Sequence, residues 1–428
     1  MDEVDVVVVG AGLAGLSAAW HLLDSGLQVL VVERGDFPGA KNMTGGRLYL
    51  EPVRAALGDF LDGAPFERKV VRERVTAMSA DGASELSFEG GRFRRDPPHS
   101  ATVLRAKFDK WLGDRVAAKG GFVVPGYVVD DLLFEGGRVA GVKAGAEGIR
   151  CKVVIAADGV LSPVAVKAGL RPEWEPGQLA VGVKEVLGFP RETIQDRFQL
   201  EGDEGEARLY FGALTSGLFG GGFLYTNAES VSIGIVLGMR DLSRTAAPST
   251  PELLEAFKAR PEIRPLVRGG ELLEYSAHAI PEGGLETAAK PSGDGILAAG
   301  DAAGFALNAG LTVRGMEFAL VSGALAARAV KQAAQRKDFS AASLSSYDGF
   351  LRACPLWEDL ETFSRAPEAL AHPPLMRDYP GWAAELLESL FAVGPGPKRR
   401  AYDEAWRFAR RRLLRFGAFA DWRKIRRI

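Results

Sequence analysis

Gly10, Gly12 and Gly15 lie at the spacing GxGxxG, and Glu33 follows at the end of the next apolar run. Residues of these types in this order can hold a dinucleotide. Gly10 allows a tight turn, Gly12 lets the backbone approach a pyrophosphate with no Cβ in the way, and Gly15 lets a helix pack closely on a strand. A helix opened by that turn presents free N–H groups and its positive dipole end to the diphosphate, which makes Ala11, Leu13 and Ala14 candidate contacts beside the glycines. Glu33 stands about 20 residues past the turn, where a carboxylate accepts hydrogen bonds from a ribose hydroxyl, and Arg34 adjoins it.

The elements needed to position these groups are present in order. Asp5 to Val9 reads as an apolar strand. Leu13, Leu16, Trp20 and Leu23 recur at helical spacing, and Gln28 to Val32 reads as a second strand. GxGxxG alone is a weak signal, but with both strands, the helix and the acid in register it points to FAD or NAD. Two later runs share the logic of a parallel strand that ends in a glycine turn carrying a carboxylate to the ligand edge. Val153 to Ser162, VVIAADGVLS, ends in Ala157-Asp158-Gly159, and Gly295 to Gly304, GILAAGDAAG, runs into Gly300-Asp301. Asp158 reads as mainly structural, closing its loop against the first glycine turn. Between these runs, Val103 to Leu112 reads as a helix with Phe108, Trp111 and Leu112 on one face, which leaves Arg105 either solvated or turned toward a cofactor.

Composition narrows the classes. The 428 residues, 47% hydrophobic and 25% charged, suit a soluble globular protein of two or three lobes. The first strand starts too early to follow a secretory signal, so the expected compartment is the cytoplasm. Cys151 and Cys354 are the only cysteines, which excludes a disulfide framework, a CxxC pair or a four-cysteine cluster site. His21, His99, His278 and His372 are scattered, which argues against a metal centre. Leu209 to Ala228 carries no charge over 20 residues, the length of a membrane span. Its glycines and the alternating VSIGIVLGM that follows predict sheet instead, facing a flavin or an apolar ligand. No second GxGxxG with a flanking strand and acid occurs, so a dedicated NADH domain is absent.

In their order, the three motifs resemble the FAD-binding set of the para-hydroxybenzoate hydroxylase-like flavoproteins. The resemblance implies FAD as cofactor, Asp301 on its ribitol, and Arg105, at the R-x-x-F-D-x-x-L position, turned toward it. A closer resemblance is to the electron-transfer-flavoprotein:quinone oxidoreductases of FixC type. It is carried by PGAKNMTGGRLY (Pro38 to Tyr49), GGGFLYTNAESVSIGIVLGM (Gly220 to Met239), YSAHAIPEGG (Tyr275 to Gly284) and GDAAGFALNAGLTVRGMEFALVSGALAA (Gly300 to Ala327). The first of these implies Lys41, Gly45, Gly46 and Arg47 beside the cofactor. Geranylgeranyl reductases share the frame but often carry a cysteine just before the glycine pair, where this chain has Met43-Thr44. With two cysteines, no fused cluster domain is possible. The resemblance implies a separate ferredoxin-like subunit of FixX type and an electron transfer flavoprotein of FixA/FixB type as donor, to which electron bifurcation is assigned, with membrane quinone as acceptor. The rival reading is a stand-alone NAD(P)H-dependent reductase or hydroxylase of an isoprenoid or aromatic substrate. Another is an assembly subunit whose FAD is structural.

Ala302 to Leu311 reads as a small apolar loop, and Thr312 as the start of a helix bearing Phe318, Val321, Leu325 and Ala329. Free amides near Leu311 and Thr312 would then face the pyrimidine edge of the flavin and stabilise negative charge there. Phe305, Leu307 and Asn308 are candidates to line a quinone channel.

The expected fold class is α/β. A Rossmann-like FAD-binding domain with a parallel sheet is discontinuous over 1–50, 100–165 and 285–337. A mixed β-sheet substrate lobe spans 51–99 and 166–284, and a C-terminal helical region 338–428 follows, of which 338–395 is expected to cap the flavin lobe. From Gly396 to Ile428 there are 12 Lys or Arg against three acids, a balance of +9 that leaves −11 on the rest of a chain of net charge −2. Ala401 to Phe416 places Tyr402, Trp406, Ala409, Leu413 and Phe416 on one stripe with arginines largely off it, and Gly417 as a stop. Such a helix suits the surface of an anionic bilayer, an acidic partner subunit, or its own protein. No fold motif accompanies the charge to support nucleic-acid binding.

Overall fold

The computed structural model describes residues 2–43, 46–242 and 248–413, together with Arg423 and Arg426. The call on Gly45, and those on Phe416 and Gly417, lie outside the described residues.

The first lobe is built on a parallel sheet in which Phe122–Val124, Val29–Val32, Asp2–Val9, Glu147–Ala156 and Ile296–Ala298 lie side by side. Val6, Val7, Val8 and Val9 are all buried, as expected of a central parallel strand covered on both faces. Val9 pairs with both Val32 and Ala156, so the glycine turn and the Asp158 loop leave the sheet at the same carboxyl edge. The helix Leu13–Leu22 crosses the long helix Met316–Arg336 so closely that a Cβ on Gly323 would stand 2.1 Å from the Ala14 carbonyl oxygen.

The second lobe is a mixed sheet in which Leu179–Gly188 runs antiparallel between Ser230–Gly238 and the edge strand Glu271–Pro281. Its outer face packs Ile233, Ile235, Phe198, Leu254 and Phe257 into a core of its own. The uncharged stretch 209–228 ends one strand, makes a short turn and forms the strand Gly220–Thr226, as its glycines predict. No helix among the described residues is long and apolar enough to cross a membrane.

Several boundaries differ from the sequence-based expectation. Segments 46–49 and 100–103, assigned above to the flavin side, pair with each other, and 100–103 pairs with Arg68–Met78, in the second sheet. Val103 therefore ends a strand, and the helix runs from Arg105 to Ala118. Thr312 does not start a helix. It lies in the loop of a small hairpin, Leu307–Asn308 against Val313–Arg314, and the helix begins at Met316.

The C-terminal helices divide their packing. Those within 341–362 lie against the long helix and the flavin sheet, whereas Pro373–Arg377 and Tyr379–Phe391 reach across to the outer strands of the second lobe. They therefore cover more than the flavin lobe. The basic tail helix Ala401–Phe408 and the turn after it dock on Tyr379–Phe391, where Glu385 takes both Arg411 and Arg412. Part of the apolar stripe stays outside: Tyr402, Trp406 and Leu413 are exposed.

Candidate functional site

The three glycines of the turn answer to different constraints. Gly10 has φ +102°, and a Cβ there would stand 2.3 Å from the Ala157 carbonyl oxygen. A Cβ on Gly15 would stand 1.9 Å from the Gly10 carbonyl oxygen. Both positions are fixed by backbone packing. Gly12 is different: the nearest atoms to a Cβ there are Asn42 Nδ2 at 3.7 Å and Arg105 Nη2 at 3.9 Å. A Cβ there would make ordinary contact with these two donors and meet no backbone, and no side chain caps the helix behind it. A diphosphate needs such a cradle, with helix N–H groups below and a cation above. Leu13 and Ala14 bury their side chains in the lobe, so what they offer is backbone.

Glu33 turns into the cradle. Its Oε2 accepts from the Ala11 N–H at 2.8 Å and its Oε1 from the Gly35 N–H at 2.7 Å. A carboxylate has about four acceptor sites, so two stay available to a hydroxyl. Arg34 and Lys41 are exposed just beyond it, at the same edge of the sheet.

Arg105 is not a solvated helix residue. Its Nε and Nη2 each donate to Asp109 at 2.7 Å, a bidentate pair one helical turn apart. Asp109 is fully buried and also accepts from Asn42 Nδ2. Burial opposes the charge on Arg105, but Asp109 and the more distant Asp301 outweigh it and hold the guanidinium above its ordinary value. The result is a permanent positive charge oriented over Gly12.

The two later motifs separate by role. Burial pushes Asp158 up to about 6, against the Ser162 hydroxyl at 2.5 Å and the Val164 N–H at 3.2 Å, which both donate to it. Ser162 in turn caps the helix Pro163–Lys167, accepting from the Ala165 N–H, and Gly159 completes the loop at φ +83°. Asp158 thus binds within its own loop, to Ser162 and Val164. Gly300, at φ +62°, brings the next turn against the first helix, where a Cβ would stand 2.9 Å from the Ala14 Cβ. Asp301 follows into the crevice between the lobes, its carboxyl raised by burial and pulled back by His278 and Arg105.

The second lobe contributes groups that the sequence did not single out. His278, paired in register with Gly182, is held below its ordinary value by burial and by Arg105 and Arg34, against the pull of Asp301. Arg34, Arg105, His278 and Asp301 therefore form one electrostatic cluster across the crevice. Lys184 lies two residues from Gly182 on the same face, and burial pushes it down to about 7 despite Glu274. That face meets the first lobe, because Met43 Cε lies 2.9 Å from where a Gly182 Cβ would be. A lysine in the middle of the apolar run VGVKEV and a histidine in an alternating strand were the available signals.

Other expected contacts are not drawn into this cluster. Arg47 is bound to Glu73 by two hydrogen bonds and to Ser100 Oγ at 3.0 Å, all within the second lobe. Gly46 lies against Met316. The expectation of free amides at Leu311 and Thr312 is corrected: the Leu311 N–H donates to the Ala309 carbonyl at 2.9 Å, Leu311 is exposed, and the helix terminus is several residues away at Met316. Phe305, Leu307 and Asn308 line two apolar cavities that share Leu360. Leu307 and Asn308 border one, and Phe305, set edge-on to Trp357 at 6.0 Å, borders the other; each has room for little more than a water molecule.

The parallel sheet, the turn and the crevice define an FAD-dependent oxidoreductase, and residues 5–201 match the family described as FAD dependent oxidoreductase. A solved geranylgeranyl bacteriochlorophyll reductase-like protein from Thermoplasma acidophilum shares the fold, with a TM-score of 0.72 at 21% identity over 96% of both chains. Among curated relatives, the chain is 45% identical over 400 residues to the "Probable electron transfer flavoprotein-quinone oxidoreductase YdiS" of Escherichia coli K12, covering 93% of this chain and 92% of that one. It is 41% identical over 417 residues to protein FixC of the same organism, covering 97% and 95%. The chain belongs to this family of FixC and electron transfer flavoprotein-quinone oxidoreductase proteins. It is an FAD-dependent oxidoreductase with an electron-transfer role.

Proposed function

We propose that this chain accepts electrons from an electron transfer flavoprotein of FixA/FixB type and delivers them to membrane quinone, with a ferredoxin-like subunit of FixX type as partner. One observation carries the reading beyond the relatives' names. The turn that brings Asp301 to the crevice continues within a few residues into Leu307 and Asn308, on the wall of an apolar cavity. One continuous segment thus runs from the carboxylate expected at the cofactor to a small, largely apolar gap.

FAD, when bound, supplies the two-electron chemistry, and the chain supplies position and charge. The backbone at Gly10 to Gly15, with Ala11, Leu13 and Ala14, receives the diphosphate. Arg105 neutralises it from above, held by Asp109. Glu33 accepts from the adenosine ribose and Asp301 from the ribitol. Ala157 and Gly159 shape the loop behind Gly10. Arg34 and Lys41 add positive charge at the rim. The exposed Tyr402, Trp406 and Leu413 beside the tail arginines fit peripheral contact with the inner face of a cell membrane.

Purification with its neighbouring subunits and a quinone-reduction assay test this reading. The expected result is flavin reduction by the reduced electron transfer flavoprotein and turnover with quinone. A protein that stays alone and responds only to NAD(P)H would overturn it.

A further inference from the structure

The tail helix Ala401–Phe408 and the turn Ala409–Leu413 meet their own protein with a largely polar side. Glu404, Phe408 and Arg412, four residues apart, are half-buried, whereas Tyr402, Trp406 and Leu413 are 75%, 50% and 49% exposed. The docking contacts are ionic. Glu385 of the helix Tyr379–Phe391 takes Arg411 and Arg412, and the Arg412 guanidinium also lies 5.6 Å from the Trp382 ring. In the connection between the two helices, Lys398 Nζ donates to the Ala392 carbonyl and, at 3.0 Å, to the Ser389 carbonyl. The apolar stripe is thus held outward by the packing of the opposite face. An amphipathic helix that only covered its own protein would dock the other way round.

Two further apolar side chains of this helical hairpin are bare, Phe391 at 80% and Val393 at 82% exposed. The charge around them has one sign, with a balance of +9 from Gly396 to Ile428. Arg399 and Arg407 share Glu404 at 3.5 Å and 3.8 Å, and Arg411 and Arg412 share Glu385. Arg400 and Arg410 are exposed and hold no ion pair among the described residues.

We propose that this hairpin is a preformed anchor for a lipid surface with anionic headgroups. Tyr402, Trp406 and Leu413 enter the boundary between headgroups and acyl chains, and Arg400 and Arg410 meet the headgroup phosphates. The inference deepens the peripheral membrane contact proposed above and rests on that reading. The side chains suit the place. Trp and Tyr rings settle where one end is apolar and the other wet, and arginine stems lie along apolar surface while their charged heads stay at water. An acidic protein would satisfy the arginines but would need a matching apolar cleft for the stripe. A bilayer offers a charged layer above an apolar one to any row of side chains this exposed. Because the helix is already folded and already turned outward, little ordering cost remains to be met on binding.

The test uses the full-length, FAD-loaded protein with vesicles of phosphatidylcholine alone or mixed with phosphatidylglycerol. Sedimentation should show binding to the mixed vesicles at least about 25-fold tighter, weakening as salt is raised. Replacing two unpaired cations, Arg400→Ala with Arg410→Ala, should lower that affinity about 25-fold, at about fivefold for each charge. Trp406→Ala should lower it about tenfold. The flavin spectrum should be unchanged in both variants, because these side chains point to solvent. Brominated phosphatidylglycerol should quench the tryptophan fluorescence of the wild type and much less that of Trp406→Phe. Equal affinity for both kinds of vesicle would keep the peripheral contact and overturn the anionic assignment. An anionic preference that neither variant alters would place the contact elsewhere and overturn it too. Loss of the ferredoxin-like partner from either variant, with vesicle binding intact, would make the stripe a protein dock instead. Binding to neither vesicle would remove the peripheral contact beneath the inference. The predicted vesicle pattern in a protein that does not reduce quinone would leave the anchor standing and fail the relay alone.

Discussion

The glycine turn and the small gap beyond Asp301 are specified in opposite ways. At the turn, each residue is fixed by neighbours close in sequence or on the adjacent strand: Gly15 by Gly10, Gly10 by Ala157, Ala11 by Glu33. The cavity is assembled from segments far apart, with Glu282, Asn308 and Leu360 brought together by folding alone. The difference teaches that a cofactor cradle can be built from one local motif. The choice of what the cofactor reacts with is left to remote segments that can vary without disturbing it.

The sharpest way to break this contrast is inside the motif. Gly15→Val drives a side chain into the Gly10 carbonyl and is expected to lose more than about 4 kcal/mol of unfolding free energy, read by urea denaturation. Gly12→Ala meets only ordinary contacts with Asn42 and Arg105 and should change stability by less than about 1 kcal/mol. It should instead weaken FAD binding tenfold or more in a fluorescence titration of the apoprotein, because the added methyl occupies the diphosphate's place. Equal stability losses at the two positions would show that Gly12 is also a packing glycine.

Arg105→Ala comes next. It removes a cation over the cradle and leaves Asp109 buried with Asn42 as its remaining side-chain partner, so a stability loss of about 3 kcal/mol is expected with FAD affinity down about 10- to 100-fold. Adding Asp109→Ala should recover much of the stability and none of the affinity. Recovery of both would mean that Arg105 acts on the fold alone.

Asp158 gives a smaller, pH-dependent effect. Its folded value, about 6, lies above the unfolded carboxylate value, so the stability it contributes is present at low pH and is lost as pH rises through about 6. Asp158→Asn keeps the group neutral. Its stability relative to wild type should therefore improve by about 2 kcal/mol between pH 4 and pH 7, in parallel denaturation series. A constant difference would show that folding leaves the Asp158 carboxyl unshifted.

The sequence disclosed what local geometry dictates and little of what distant pairing dictates. Gly10, Gly12, Gly15, Glu33 and the strands around them were legible because strand, turn and helix impose their constraints within about 30 residues. Arg105 was turned toward the cofactor only by the family resemblance, and its clamp by Asp109 and Asn42 was not legible. Thr312 was misread because a threonine before an apolar helical run resembles a helix start, whereas the helix opens at Gly315, a residue with no capping side chain. The two-residue strands ahead of it leave no periodic trace. His278, Lys184 and Glu282 acquire their environments from the register of 179–188 against 271–281 and from the face that meets the first lobe, and neither can be read from alternation alone.

The smallest effect concerns the tail. Glu385→Ala breaks the contacts to Arg411 and Arg412 on a largely exposed surface, so thermal stability should change by less than about 1 kcal/mol. Proteolysis near Gly394-Pro395 should nevertheless quicken as the tail helix is released. Unchanged proteolysis would mean that the rest of the tail holds itself.

The most direct measurement follows the flavin absorbance of the purified protein as reduced electron transfer flavoprotein, and then quinone, is mixed in. Bleaching by the first and recovery with the second is the predicted sequence. A flavin that the electron transfer flavoprotein leaves oxidised while NAD(P)H bleaches it would contradict the relay.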